Sequence, residues 1–283
     1  MTSMCRSGIL CVPLLIAAMA SAYAQQAQAP YTLEDGGISV EPFYWFTTFL
    51  PALPVMRGGA ASSASNADLN FPGIIKNAPG MILSIPAGAQ STIRLSYFRI
   101  QGRGDETLAG DATLLGTAFY QDDWLATSHL AQDVKVSWDF LTYPLTPGPR
   151  KLRFKTLWEV QWLTFHTNIS APYAPTRTDS SGNTISNYAA QTKSLILPTL
   201  GAELEQAPFR HFRYEVKASG FGIPHHGDIW DAEGSLAFRF GKLEMLVGAK
   251  AFHFKTSPKA DEYFTDTLAG PYAGLRWYLT RPE

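Results

Sequence analysis

From Phe209 to Leu279 polar and apolar residues alternate through four successive segments. In His211–Gly220 one face reads His211, Arg213, Glu215, Lys217 and Ser219, and the other Phe212, Tyr214, Val216, Ala218 and Gly220. Asp231–Phe240 repeats the pattern, with Asp231, Glu233, Ser235 and Arg239 set against Ala232, Gly234, Leu236, Phe238 and Phe240. A period of two is the side-chain period of a β-strand, so each segment is predicted to be a strand with one charged and one apolar face. Such strands can bury the apolar face in a soluble sandwich, or turn it to lipid and keep the charges inside.

The N-terminus favours lipid. Arg6 gives a positive start, Gly8–Ala20 an apolar run, and Ala22-Tyr23-Ala24 a small-x-small cleavage site before Gln25, which predicts a signal peptide over 1–24. The run of roughly 13 residues is shorter than the ~20 of a spanning helix. Both cysteines, Cys5 and Cys11, lie in it, so the mature chain has no disulfide, thiolate nucleophile or cysteine metal site. With 23 basic against 24 acidic residues the chain has no basic footprint for nucleic acid. No later stretch is apolar enough for a transmembrane helix. The expected organisation is a periplasmic lead-in over 25–37 and one β-domain over 38–283.

The first strand is expected over Ile38–Phe49, with Ile38, Val40, Tyr44 and Phe46 facing lipid and Ser39, Glu41 and Thr47 inside. Pro51–Pro79 reads as a long external loop, and Gly80–Pro86 as a short apolar strand. In Ser91–Arg103 Arg94 points inward, and the alternation breaks at Phe98-Arg99, which fits either a bulge or the strand emerging from the membrane. Gly104–Asp123 is an acidic second loop. Trp124–Tyr143 turns Asp133, Lys135 and Asp139 inward, and Lys151–Ile169 turns Arg153, Lys155 and Glu159 inward. These two strands exceed the ~9–11 residues that a tilted spanning strand needs, so their surplus should project outside as a hairpin wall. After a third loop, Ser170–Gln191, Thr192–Glu205 contributes Glu203 and Glu205. The His211 and Asp231 strands follow, joined by a loop over Phe221–Trp230. Gly241-Lys242 is a two-residue hairpin turn, Leu243–Lys255 carries Glu244 and Lys250, Thr256–Phe264 is the last loop, and Thr267–Leu279 carries Arg276. The sum is ten strands, with eight and twelve as alternatives.

Alternating segments, short turns alternating with longer polar loops, and an export signal together resemble the Gram-negative outer-membrane β-barrels. The ending Gly274-Leu275-Arg276-Trp277-Tyr278-Leu279 is similar to the glycine-x-x-aromatic-x-hydrophobic signal by which the insertion machinery reads such barrels, although Thr280-Arg281-Pro282-Glu283 follows it here. The resemblance implies an all-β, antiparallel transmembrane barrel in the outer membrane, with lipid and the insertion machinery as partners. Trp45, Trp138, Trp158, Trp162, Trp230 and Trp277 are then expected on the lipid face or in its aromatic girdles.

The inward charges nearly cancel. In a barrel of about ten strands they would fill a narrow lumen as a salt-bridge network or, alternatively, line a narrow polar pore. Pro224-His225-His226-Gly227-Asp228 is the densest set of potential ligands, though adjacent histidines on an extended chain point opposite ways. Ten-stranded outer-membrane proteases carry a carboxylate pair facing an aspartate–histidine pair at the mouth. By that resemblance Asp122 and Asp123, with His225, His226 and Asp228, would form a hydrolytic site. The leading expectation is nonetheless a non-enzymatic barrel without cofactor or metal, serving envelope integrity, surface binding or passage of a small solute. The alternatives are a surface hydrolase and a soluble periplasmic β-protein.

Overall fold

The computed structural model describes residues 37–47, 52–53, 69–70, 73–88, 90–144, 152–209, 211–224, 227–256 and 265–279. The expected signal peptide, nearly all of the lead-in, and His225 and His226 lie outside them.

Ten strands form one closed sheet: β1 Ser39–Trp45, β2 Pro79–Pro86, β3 Ser91–Thr107, β4 Trp124–Tyr143, β5 Arg153–Ser170, β6 Tyr188–Phe209, β7 Phe212–Ile223, β8 Gly227–Phe240, β9 Leu243–Thr256 and β10 Thr265–Tyr278. Each is antiparallel to its sequence neighbours, and β10 pairs with β1 through Tyr272↔Trp45 and Tyr278↔Ser39, so the barrel has no open edge. Gly73–Asn77 extends the β2 side, pairing with β3 above it. At the closing seam the Trp45 indole N–H donates to the Gly270 carbonyl at 3.2 Å. A Cβ on Gly270 would sit 2.1 Å from the Phe46 carbonyl oxygen, so only glycine fits there.

Two expectations about connections are corrected. β7 and β8 stay paired through Ile223↔Gly227, so most of the predicted loop Phe221–Trp230 is strand, and 224–226 alone join the two. Gly104–Asp123 is also not all loop: β3 continues to Thr107, and Ala112–Leu114 pairs with Thr117–Phe119.

Of the two readings of Phe98-Arg99 the bulge is absent; β3 and β4 pair in unbroken register from Ser91↔Phe140 to Thr107↔Trp124. What changes there is polarity. On β5 the outward residues Trp158, Val160 and Trp162 are 52–56% exposed, and they are followed on the same face by Thr164, His166, Asn168 and Ser170. The inward residues run the other way, from Glu159 and Gln161 to Leu163, Phe165 and Ile169, all buried. β3 turns over at the same height, with Phe98 and Ile100 inside and Arg99 outside. So do β8, from Leu236 to Asp228 outside, and β9, from Val247 to His253 and Lys255.

One half of the barrel therefore has an apolar wall and a polar interior, as a transmembrane barrel does. The other half has a polar wall and an apolar core, as in a soluble protein. Phe98, Phe165, Phe252, Phe254 and Leu268 meet in that core, with Phe98 and Phe252 edge-to-face at 5.1 Å. Trp45 belongs to it too: it is 1% exposed, which corrects its expected place on the lipid face. Trp158, Trp162, Trp230 and Trp277 are exposed on the wall.

Candidate functional site

In the polar half the expected charges meet across the lumen. From β4, Lys135 reaches Asp231 on β8 at 2.5 Å and Glu159 at 3.4 Å. Arg94 on β3 contacts Asp139 at 2.8 Å, Glu203 at 2.9 Å and Glu215 at 3.3 Å. Lys155 binds Glu203 at 2.6 Å and also Glu205, which Arg153 approaches at 3.7 Å.

A second group surrounds the seam. Arg213 joins Glu205 at 3.2 Å to Glu244 at 2.7 Å, while Arg276 donates to Glu41 at 2.6 Å and Glu244 at 3.1 Å. Lys217 and Lys250 share Glu233, at 3.2 and 3.7 Å, and the Tyr272 hydroxyl donates to the same carboxylate at 2.7 Å. Asp133 is buried where the charges give way to the core. Arg239 stands apart, over the Tyr278 ring near the Gly241-Lys242 turn.

Bridges between strands far apart in the sheet fill the lumen as a core would, because a buried charge is tolerated when paired. Among them is a cavity of about 20 Å³ lined by Arg94, Lys135, Asp139, Glu159, Lys217 and Glu233 with their neighbours. That is room for about one water centre. The apolar core closes the lumen above it. Sequence reasoning missed this second closure, although its signal was present: along the inner parity of β5 the residues change from Glu159 and Gln161 to Leu163 and Phe165.

The predicted mouth residues are used separately. Asp123 is buried and accepts two hydrogen bonds from Arg177, at 2.8 and 2.9 Å, and one from the Tyr120 amide at 2.9 Å. The Arg177 guanidinium holds this carboxyl below the usual carboxylate range and lies over the Tyr120 ring at 4.3 Å. The pair ties the segment after β3 to the segment after β5. Asp122 is exposed in the same turn. Asp228 instead faces outward on β8, where it meets His253 at 3.2 Å. The structure thus gives Asp123 and Asp228 different partners, one among the segments that follow β3 and β5 and one on the outer wall. Among the described residues there is no group of three or more His, Cys, Asp or Glu side chains placed to hold a metal ion.

Three outer-half histidines each lie directly opposite a threonine: His129 and Thr167 at 3.1 Å, His166 and Thr192 at 2.7 Å, and His253 and Thr267 at 2.6 Å. The first faces the core and the other two face outward.

No model of a known protein family matches the chain, and no curated protein matches it in sequence. Among solved structures it is similar to the outer membrane protease OmpT from Escherichia coli, at 10% identity and a TM-score of 0.44, over 86% of this chain and 94% of that one.

Proposed function

We propose that the protein is an integral outer-membrane barrel whose interior does not conduct, and that its work is done by the surfaces outside its lumen. The observation that carries this reading is the doubly closed lumen. Cross-barrel bridges such as Lys135–Asp231 fill one half, and the Phe98–Phe252 core fills the other. Of the three roles expected from sequence, surface binding and envelope integrity fit a filled barrel, and solute passage does not. The ordered external cap, fastened by Asp123 and Arg177, supports a presenting role. Export by the 1–24 segment and recognition of the C-terminal strand by the insertion machinery belong to the same reading.

The test is single-channel conductance of the folded protein in a planar bilayer. A silent but inserted barrel, recognised by a heat-shifted gel band, is the expected result. Steady discrete steps would overturn the reading and return the charged lumen to the role of a pore.

A further inference from the structure

We propose that Thr267, His253 and Asp228 form a lipid-facing acyl-ester hydrolase site on the outer wall, with the Thr267 hydroxyl as nucleophile. The three residues lie on the adjacent strands β10, β9 and β8, with Thr267 opposite His253 and Asp228 opposite Lys255 in register. Thr267 Oγ1 is 2.6 Å from His253 Nδ1, and His253 Nε2 is 3.2 Å from Asp228 Oδ1. A carboxylate at Nε2 fixes the proton there, so Nδ1 is the basic nitrogen and accepts the hydroxyl proton. This is the nucleophile–base–orienter geometry of acyl transfer, which is recognised by roles and not by chain order. Trp230 stacks on the imidazole at 5.4 Å with 17° between the planes and holds the ring on the wall.

A histidine–threonine rung alone is a packing device, as its recurrence at His129 and His166 shows. The rung at His253 adds an orienting carboxylate and an accessible position: the side chains of His253 and Asp228 are 21% and 42% exposed. Its height selects the substrate. Along β9 the outward face changes from Val247, Ala249 and Ala251 to His253 and Lys255, and along β10 from Ala273 and Ala269 to Thr267. The hydroxyl therefore stands where the apolar belt ends. That is the depth of the ester bonds of a glycerophospholipid, between its acyl chains and its headgroup.

In the reaction Thr267 Oγ attacks the ester carbonyl as its proton passes to His253 Nδ1. The tetrahedral intermediate expels the lipid alcohol, which takes that proton, and an acyl-threonine remains. Water then adds to the acyl-threonine, giving its proton to Nδ1 and releasing the fatty acid, and the proton returns to Oγ. Asp228 touches only the imidazole and acts as a positioning residue. The proposal rests on insertion of the barrel in a membrane and is independent of whether the lumen conducts.

The experiment uses the full-length folded protein in mixed micelles with diacyl phosphatidylcholine, reading fatty-acid release, and separately a fluorophosphonate probe followed by peptide mass spectrometry. Release above the blank and phosphonylation of Thr267 are expected. Thr267→Ala and His253→Ala should each lower release by about 10²-fold or more, Thr267→Ser should restore it, and His166→Ala should leave it unchanged. Asp228→Asn should lower kcat with KM unchanged, because Asp228 meets the imidazole and not the lipid, and Asp228→Glu should recover part of the loss. If wild-type protein with an intact heat-shifted band releases no more fatty acid than Thr267→Ala, the proposal is overturned. Lumen conductance is read on the same preparation, so failure here and failure of the closed-barrel reading are separate results.

Discussion

Arg94 spans the lumen from β3 to Glu203 on β6, 2.9 Å away, although two strands separate them along the sheet. The same guanidinium holds Asp139 and Glu215, so three buried carboxylates share this cation, with Lys155 also on Glu203. Arg94→Ala should therefore cost about 3–5 kcal/mol, the range for leaving buried charges without their partner. Urea unfolding in detergent micelles measures it, and a loss below ~1 kcal/mol would mean that the network is dispensable.

The outer core should behave as a soluble one. Phe252→Ala removes a ring that is fully buried against Phe98 and Phe254, at a cost of about 3–5 kcal/mol. Because the lipid-facing half is untouched, insertion should persist while the external end becomes sensitive to added protease. Unchanged proteolysis would contradict the role given to this core.

The place where the wall changes polarity can be tested directly. Val160 is 54% exposed on the apolar wall, and Asn168 lies eight residues further along the same face of β5. Arginine at a lipid-facing midplane position costs about 2–4 kcal/mol and close to nothing near the interface. Val160→Arg should destabilise the inserted barrel by that amount and Asn168→Arg should be near neutral. Equal effects would displace the boundary.

The Asp123–Arg177 pair makes the external cap sensitive to acid. The folded carboxyl titrates below its ordinary value of 3.8 because Arg177 hydrogen-bonds its charged form. Its contribution is thus complete above that value and is lost as pH falls through the lower folded one. Limited proteolysis of the cap should accelerate as pH drops below about 4, and Arg177→Ala should give fast cleavage that no longer depends on pH in this range.

Much of the barrel was legible because its inner face is charged. Arg213, Glu215 and Lys217 could not alternate with Tyr214, Val216 and Ala218 for any reason but a two-faced strand, and the sheet has the ten strands expected. Phe98-Arg99 left a bulge and an emerging strand both open, because a change in what surrounds the wall looks, in sequence, like a slip in register. Trp45 was put on the lipid although it shares the parity of Ser39 and Glu41: tryptophan suits both a girdle and a core, and the face of β1 it occupies separates them. His253 falls within the predicted strand Leu243–Lys255, but its partners were not legible. Thr267 and Asp228 come from other strands, and cross-strand register is a property of the closed sheet and not of any one segment.

The reversal of polarity along β3, β5, β8 and β9 also fixes how deep the molecule sits. Sliding the barrel inward by one residue pair, about 6.6 Å along a strand, would draw Thr164, Asp228 and Arg99 into hydrocarbon. An equal slide outward would lift Trp162 and Trp230 into water. Neither move has anything to offset it, because the interior changes character at the same level as the wall. The barrel has a waterline, written once on each of the strands that cross it, and everything it presents to the exterior is held at a set distance from the lipid surface.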